Sequence, residues 1–326
     1  MAKPRNKYVD WLIYLAARLF GMFVNIFDFP VNYRFACLVG DLLYVFDRKH
    51  RNIALQHLRL SFPDWPEGTV RQVARQSLRS LVATGLEFVL TPRQVTPPSW
   101  RRHTILTNQA ENIRLLTERK GAIVYVAGHF GNWERVGYTM AILGFDGFAV
   151  ARPLDNAYLN EYVKAVRQKK GLTIIDKKGA SAHMDEILSS RRYVSFIADQ
   201  DAGSRGMFVD FFGRPASTNK APALVAMRYE APVVVGYGRR LGRGRGFEIG
   251  IERIIHPSEW ADKDDPARWI TQEYTKAMED VARRDPGQYL WAHRRWKHRP
   301  KDELKVPNRD ESESRLEPPS APGGVA

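Results

Sequence analysis

The sequence predicts an α/β protein, a mostly parallel sheet flanked by helices and preceded by an amino-terminal, membrane-associated helical segment. Three observations carry this reading. From residue 121 short β-rich runs alternate with amphipathic segments, as parallel strands with crossover helices do. Residues 51–118 place apolar side chains at helical spacing. The first 50 residues are strongly apolar between basic flanks.

The segment Trp11–Phe27 reads WLIYLAARLFGMFVNIF, 17 residues in which Arg18 and Asn25 are the strongly polar members. Spanning a bilayer takes about 20 apolar residues, so this length sits at the lower limit. No small-residue cleavage site follows, which argues against a removable signal peptide. Lys3, Arg5 and Lys7 precede it, and Arg48, Lys49 and Arg51 follow the next apolar stretch. Such flanks favour a helix anchored in, or lying on, a cytoplasmic membrane face. A buried amphipathic core helix is the competing reading. Residues 1–50 are therefore assigned as a membrane-anchoring segment, with Asp28, Arg34 and Asp41 interrupting any second clean span.

The main domain is expected over 51–300, helical in 51–118 and α/β in 119–300. Val70, Val73, Ala74, Leu78, Leu81 and Val82 mark one helix face, and Pro63 and Pro66 separate that helix from the one before. Strands are expected at Ala122–Ala127, Phe148–Arg152, Leu172–Asp176, Tyr193–Asp199, Pro232–Tyr237 and Phe247–Ile255. Helices are expected near 132–143, 156–170, 180–190, 219–229 and 266–284. The tail 301–326, rich in Pro, Glu, Ser and Gly, reads as disordered.

Composition limits the function. With 50 Lys+Arg against 36 Asp+Glu the net charge is +14, which suits an anionic partner: nucleic acid, an anionic lipid surface or an acidic protein. The single cysteine, Cys37, excludes a disulfide scaffold and multi-thiolate metal sites and fits an intracellular setting.

Five stretches could carry chemistry. In Gly128-His129-Phe130-Gly131-Asn132-Trp133-Glu134, His129 and Glu134 would lie about 140° apart on one helix. They meet if His129 sits on a strand-to-helix turn and Glu134 in the helix's first turn, with Asn132 as N-cap. An ionised Glu134 bonded to one imidazole nitrogen would fix the tautomer and make the other a better base. No serine or cysteine nucleophile is indicated beside it. Position favours function over structure, because α/β sheets place ligands at the carboxyl ends of parallel strands.

Arg152-Pro153, with Tyr158, Tyr162 and Arg167 on the next helix, offers guanidinium forks for carboxylate or phosphate, or simply a solvated basic face. Asp199-Gln200-Asp201 spaces two carboxylates for one side of an extended chain. No histidine or third carboxylate is near in sequence, so a substrate-positioning loop is preferred over a metal site. Residues 209–218 read as a Gly/Pro-bearing loop before a helix capped by Thr218 or Asn219. No nucleotide P-loop is present. Arg239, Arg240, Arg243 and Arg245, with Trp291-Ala-His-Arg-Arg-Trp-Lys-His-Arg299, could stack on nucleobases, sit at a lipid interface, or form plain basic loops.

Taken together these residues resemble the bacterial late acyltransferases of lipid A biosynthesis, the lauroyl/myristoyl acyltransferase family of the lysophospholipid acyltransferase group. His129–Glu134 is similar to the family's His-x-x-x-x-Asp/Glu signature. Arg152-Pro153 with Arg167, Asp199-Gln200-Asp201, Phe211-Phe212-Gly213 and Gln288-Tyr289-x-Trp291-x-His293-Arg294-Arg295 follow in family order, and the similarity runs from about residue 9 to 300. The resemblance implies an inner-membrane enzyme, its site facing the cytoplasm, that moves a fatty acyl chain from acyl carrier protein to a hydroxyl of an anionic lipid. It implies no cofactor and no metal. His129 would be the general base and Glu134 its orienting partner. Arg167 and Asp199 match active-site positions, Arg152 and Asp201 neighbour them, and all four are assigned to substrate binding.

Other readings compete. The acceptor could be a lysophospholipid or glycolipid. A non-catalytic nucleic-acid binder is disfavoured, since no helix-turn-helix, zinc-finger or ribonucleoprotein pattern occurs. A metal hydrolase using His129, Glu134 and Asp199 is the third.

Overall fold

The computed structural model describes residues 6–107, 122–145, 147–168, 172–176, 179–189, 192–242 and 246–300. Four helices come first: α1 (Lys7–Val24), α2 (Phe29–Phe46), α3 (Arg48–Ser61) and α4 (Glu67–Gln94). A short strand, β1 (Thr104–Leu106), follows them. Then come β2 (Ile123–Ala127), α5 (Trp133–Ile142), β3 (Gly147–Ala151), α6 (Ala157–Gln168), β4 (Leu172–Asp176), α7 (Ala180–Ser189) and β5 (Tyr193–Ile197). The chain continues through β6 (Met207–Phe211), β7 (Arg214–Thr218), α8 (Ala221–Arg228), β8 (Val233–Leu241), β9 (Gly246–Ile255), α9 (Pro257–Trp260) and α10 (Pro266–Arg284).

Among the described residues seven strands form one sheet in the order β1-β9-β8-β2-β5-β3-β4. Every pairing is parallel except β8 with β9, so the mostly parallel sheet expected from the alternation is present. Strand side chains alternate between faces. Val124 and Val126 of β2 join Val194, Val233, Ile187, Ala223, Ile270 and Tyr274 in the main core under α7, α8 and α10. Tyr125, between them, packs in a smaller cluster with Val136, Met140 and Phe247 on the α5 side.

Residues 209–218 differ from expectation. They belong to an antiparallel hairpin of β6 and β7. Its two turn residues, Phe212 and Gly213, both have positive φ (57° and 72°), which suits a tight two-residue hairpin turn. An aromatic residue is held in this unusual conformation because the Phe212 N–H donates to Glu279 Oε2 at 2.6 Å and its ring packs on Trp291. Lys220, just before α8, makes no side-chain cap, and of the two expected residues Asn219 supplies it, its Oδ1 accepting the Ala221 N–H at 3.1 Å.

The amino-terminal segment is two helices. Asn25 closes α1, its side chain donating to the Gly21 carbonyl at 2.7 Å, and Asp28 precedes α2. Val24 and Ala36 pack on Ala83, Leu86 and Leu90 of α4. Arg18 is absorbed by Tyr14, to which it donates at 2.9 Å, and by the ring of Tyr162. No helix among the described residues is long and apolar enough to cross a membrane. Large apolar side chains nevertheless stand in solvent along both helices and at the turn between them, among them Leu12, Leu19, Phe23, Ile26, Leu38 and Leu42. The expected tail 301–326, and Arg243 and Arg245, lie outside the described residues.

Candidate active site

Strands β2 and β5 are parallel neighbours with Ala127 opposite Ile197. Two residues beyond each lie His129 and Asp199, and the shared register therefore sets them side by side. Asp199 is completely buried. Its Oδ2 accepts the His129 backbone N–H and its Oδ1 accepts from Nδ1, both at 2.7 Å. An ionised carboxylate cannot donate, so Nδ1 carries the proton and Nε2 is left as the basic nitrogen. Nε2 lies 3.4 Å from the Gln200 amide nitrogen.

Burial alone would disfavour both charges, but each partner favours the other. Burial pushes the His129 pKa down, and the Asp199 charge, its hydrogen bond and the nearby Glu134 charge together outweigh that and raise it. Burial pushes Asp199 up, and His129 reverses this, holding the carboxyl well below the usual carboxylate range.

The expected contact between Glu134 and the imidazole is not what forms. Glu134 occupies the first turn of α5, as anticipated, but takes the fork of Arg167 from the last turn of α6. Arg167 Nε donates to Oε2 at 2.9 Å and Nη2 to Oε1. The reason lies in chain geometry: the turn at Gly128–Asn132 aims His129 back toward β5, while the next helical turn carries Glu134 toward α6. Glu134 therefore acts on His129 through its charge, and the guanidinium assigned to substrate is already engaged.

Arg152 stands at the rim, exposed, with a 3.3 Å contact to Asp155. Asp201 lies apart from the imidazole and is held by His298 Nδ1 at 2.6 Å. Asp199 and Asp201 thus serve different histidines and do not share a ligand. Among the described residues no group of three His, Cys, Asp or Glu side chains is placed to hold a metal.

The turn bearing His129 is fixed by residues whose roles the sequence did not disclose. Asn132 caps α5 as expected, accepting the Arg135 N–H at 2.9 Å, but its amide also donates to the buried Glu87 at 2.6 Å. Glu87 pairs at 2.7 Å with Arg240 Nε, both side chains being 4% exposed. Arg240 further reaches Ser80, Thr84 and the Gly131 carbonyl. Gly131 has φ +54°, and a Cβ there would stand 1.8 Å from the Gly238 carbonyl oxygen. Gln288 completes the clamp, its carbonyl accepting the Gly131 N–H at 3.0 Å. His293 lies behind Asp199, its Nε2 3.0 Å from the Asp199 carbonyl oxygen. Two large side chains of the Trp/Arg segment are core: Trp291 and Arg295 are 1% exposed, and Arg295 donates to the Ser217 carbonyl and the Thr218 hydroxyl. Neither side chain is available to stack on bases or to sit at a lipid interface.

His129 opens into a cavity of about 640 Å³. Glu134 and Arg167 lie on its wall, and its depth is lined mainly by apolar and aromatic side chains, among them Tyr125, Trp133, Met140, Tyr193 and Leu224. That is the form of a site that takes a hydrophobic ligand and presents a polar centre to one end.

A family model described as bacterial lipid A biosynthesis acyltransferase matches residues 2–298. The chain is 28% identical over 305 residues to the lipid A biosynthesis lauroyltransferase of Escherichia coli (strain K12), covering 92% of this chain and 94% of that one. It is 24% identical to the lipid A biosynthesis palmitoleoyltransferase of the same organism, over 89% and 92% of the two chains. Phosphatidylinositol mannoside acyltransferase of Mycobacterium tuberculosis (strain ATCC 25618 / H37Rv) is 29% identical over 125 residues, covering 37% of this chain and 40% of that one.

Proposed function

Because the chain belongs to the bacterial lipid A biosynthesis acyltransferase family, we propose that it moves a fatty acyl chain from acyl carrier protein thioester to a hydroxyl of a lipid A precursor. His129 is the general base and Asp199 its orienting partner. One observation carries the mechanism: His129, held through Nδ1 by the buried Asp199, lines a mainly apolar cavity with Nε2 free of that bond.

Nε2 takes the proton of the acceptor hydroxyl as its oxygen attacks the thioester carbonyl, and Asp199 stabilises the imidazolium that forms. Collapse of the tetrahedral adduct breaks the C–S bond, and the imidazolium returns the proton to the departing thiolate. The Gln200 amide, close to Nε2, is placed to donate a hydrogen bond to the reacting oxygens. The apolar cavity receives the acyl chain. The Glu134–Arg167 pair ties the start of α5 to the end of α6 and holds one wall of the cavity.

The exposed apolar face of α1 and α2 supports attachment to the inner membrane from its cytoplasmic side, as helices lying in the interface rather than crossing it. The matched part of the phosphatidylinositol mannoside acyltransferase supports a second reading, a glycolipid acceptor. Purified full-length protein, acyl carrier protein loaded with a fatty acyl group, and each acceptor separately decide between them by mass spectrometry. The expected product is a lipid A precursor heavier by one acyl group. Product on the glycolipid alone would transfer the assignment, and none on either would reject both readings.

A further inference from the structure

We propose that a polar annex beside the active site, walled by Arg205 and Lys220, binds a phosphoryl group of a substrate. The annex has a volume of about 340 Å³ and shares Ile197, Gln200, Asn219, Ala221 and Leu224 with the main cavity. A molecule reaching Nε2 past Gln200 can therefore extend into it.

Among the described residues five arginine and lysine side chains line the two cavities, and three already hold carboxylates. Arg167 is bound to Glu134, Arg152 contacts Asp155 at 3.3 Å, and Arg228 contacts Asp185 at 3.3 Å. Arg205 and Lys220 are exposed and make no ion pair among the described residues. The anion site that sequence reasoning placed at Arg167 is thus better sited here. Among the described residues the one acid on the annex wall, Asp201, has its carboxylate turned to the His298 ring at 2.6 Å and to the Gly203 N–H at 3.3 Å.

The turn presenting Arg205 is built rigidly. Ala202 N–H donates to the Ser217 carbonyl at 3.1 Å, and the Ser217 hydroxyl donates to the Gly203 carbonyl at 2.6 Å. A Cβ at Gly206 would fall 2.1 Å from the Ser217 hydroxyl, so backbone and strand β7 meet with no spare room. Nothing in the proton-transfer mechanism needs this turn. It fixes where the Arg205 side chain leaves the backbone, which removes the backbone's share of the ordering cost of binding an anion there. A phosphate ester, carrying up to two charges and several acceptor oxygens, matches two separate cations better than a carboxylate does.

The assignment rests on the acyl-transfer reading only for which substrate carries the phosphate. The lipid acceptor and the phosphopantetheine arm of the donor are the two sources. The test has two arms, each using the full chain, with thermal unfolding to confirm that Arg205→Ala, Lys220→Ala and the double variant fold. In the first, phosphorus NMR line broadening of inorganic phosphate and of pantetheine 4′-phosphate is compared between wild type and the double variant, without turnover. The double variant is expected to lose most of the broadening, and equal broadening in both proteins would overturn the site. In the second, KM is measured for donor and for acceptor, the acceptor with and without its phosphate. Each removed cation is expected to raise one KM roughly tenfold, the scale of a lost charged hydrogen bond, with kcat much less affected and Arg205→Lys largely restored. A rise confined to the phosphorylated acceptor names the lipid, and a rise for the donor names the pantetheine arm. No rise for either overturns the proposal. A wild type that binds phosphate but transfers no acyl group would sink the acyl-transfer reading and leave the annex standing.

Discussion

Replacing Asp199 by Asn keeps the side chain's size and removes its charge. In the native site the carboxylate accepts two hydrogen bonds from His129, from the backbone N–H and from Nδ1, each 2.7 Å long. An amide offers one acceptor oxygen and an NH2 group. If the oxygen keeps the backbone N–H, the NH2 faces Nδ1, which must then become the acceptor, and the proton moves to Nε2. The imidazole would then meet the substrate hydroxyl with the wrong nitrogen protonated. A tautomer reversal of this kind costs about 10⁴-fold in turnover, roughly 5 kcal/mol of barrier. The alternative orientation leaves the backbone N–H opposite an NH2, a stability cost of about 1–3 kcal/mol.

Wild-type kcat/KM against pH should fall on the acid side with an apparent pKa above the ordinary imidazole value, because Asp199 favours the imidazolium. In the Asn variant residual activity should follow a limb shifted to lower pH, burial then being opposed by Glu134 alone. Linkage gives stability a different optimum. The raised His129 pKa contributes stability that is full below about pH 6.5 and is lost as pH rises through the folded value. The lowered Asp199 pKa contributes stability present above about pH 4 that is lost as pH falls through its folded value. Activity should therefore peak at higher pH than stability. The assay is acyl transfer on purified variants, with thermal unfolding confirming the fold. An Asp199→Asn enzyme within tenfold of wild type, beside a Glu134→Gln enzyme reduced 10⁴-fold, would refute the argument and return Glu134 to the imidazole.

Glu87→Gln should destabilise the protein by about 3–5 kcal/mol in denaturant unfolding, because it leaves the Arg240 charge buried without its partner. Gly131→Ala should lower both stability and turnover: the positive φ alone costs about 1–3 kcal/mol, and the Gly238 carbonyl must also move. Leu12→Glu with Leu38→Glu should leave unfolding within about 1 kcal/mol of wild type, both side chains being exposed, while weakening co-sedimentation with anionic vesicles. Undiminished sedimentation would show that this face is not the attachment surface.

The alternation of apolar runs was a dependable guide to β2 through β5 and to α10, whose bounds at 266–284 agree residue for residue with those expected. It failed where local signals and long-range pairing disagreed. Gly213 and Pro215 read as loop punctuation, yet they belong to a hairpin whose turn is held by Glu279, far away in sequence. The candidate histidine was legible because a strand-to-helix turn rich in glycine is a local feature. Its partner was not. Glu134 is five residues away, whereas Asp199 is 70 residues away, and only the knowledge that β2 and β5 are adjacent and in register selects the second. Arg240 and Glu87 were hidden for the same reason. A charged residue in a basic stretch reads as surface until the fold shows that it is enclosed.

Helix α4, 28 residues and about 42 Å long, joins the amino-terminal helices to the turn that bears His129. On one side Asp41 of α2 grips Arg75 and Arg79, and Ala83, Leu86 and Leu90 receive the amino-terminal helices. On another, Ser77 holds the Tyr289 carbonyl, Thr84 the Gly131 carbonyl and Glu87 the Asn132 amide. Both seams grip the same few turns, so α4 behaves as a mounting bracket with no play between its fittings. The orientation of the His129 cavity relative to α1 and α2 is fixed by helical phase. Side chains on those outer faces can vary with little consequence for the chemistry, but one residue inserted after Leu81 would turn the two halves of the bracket about 100° against each other and shift them about 1.5 Å. The fold thus constrains the length of this helix more tightly than it constrains its outward-facing residues.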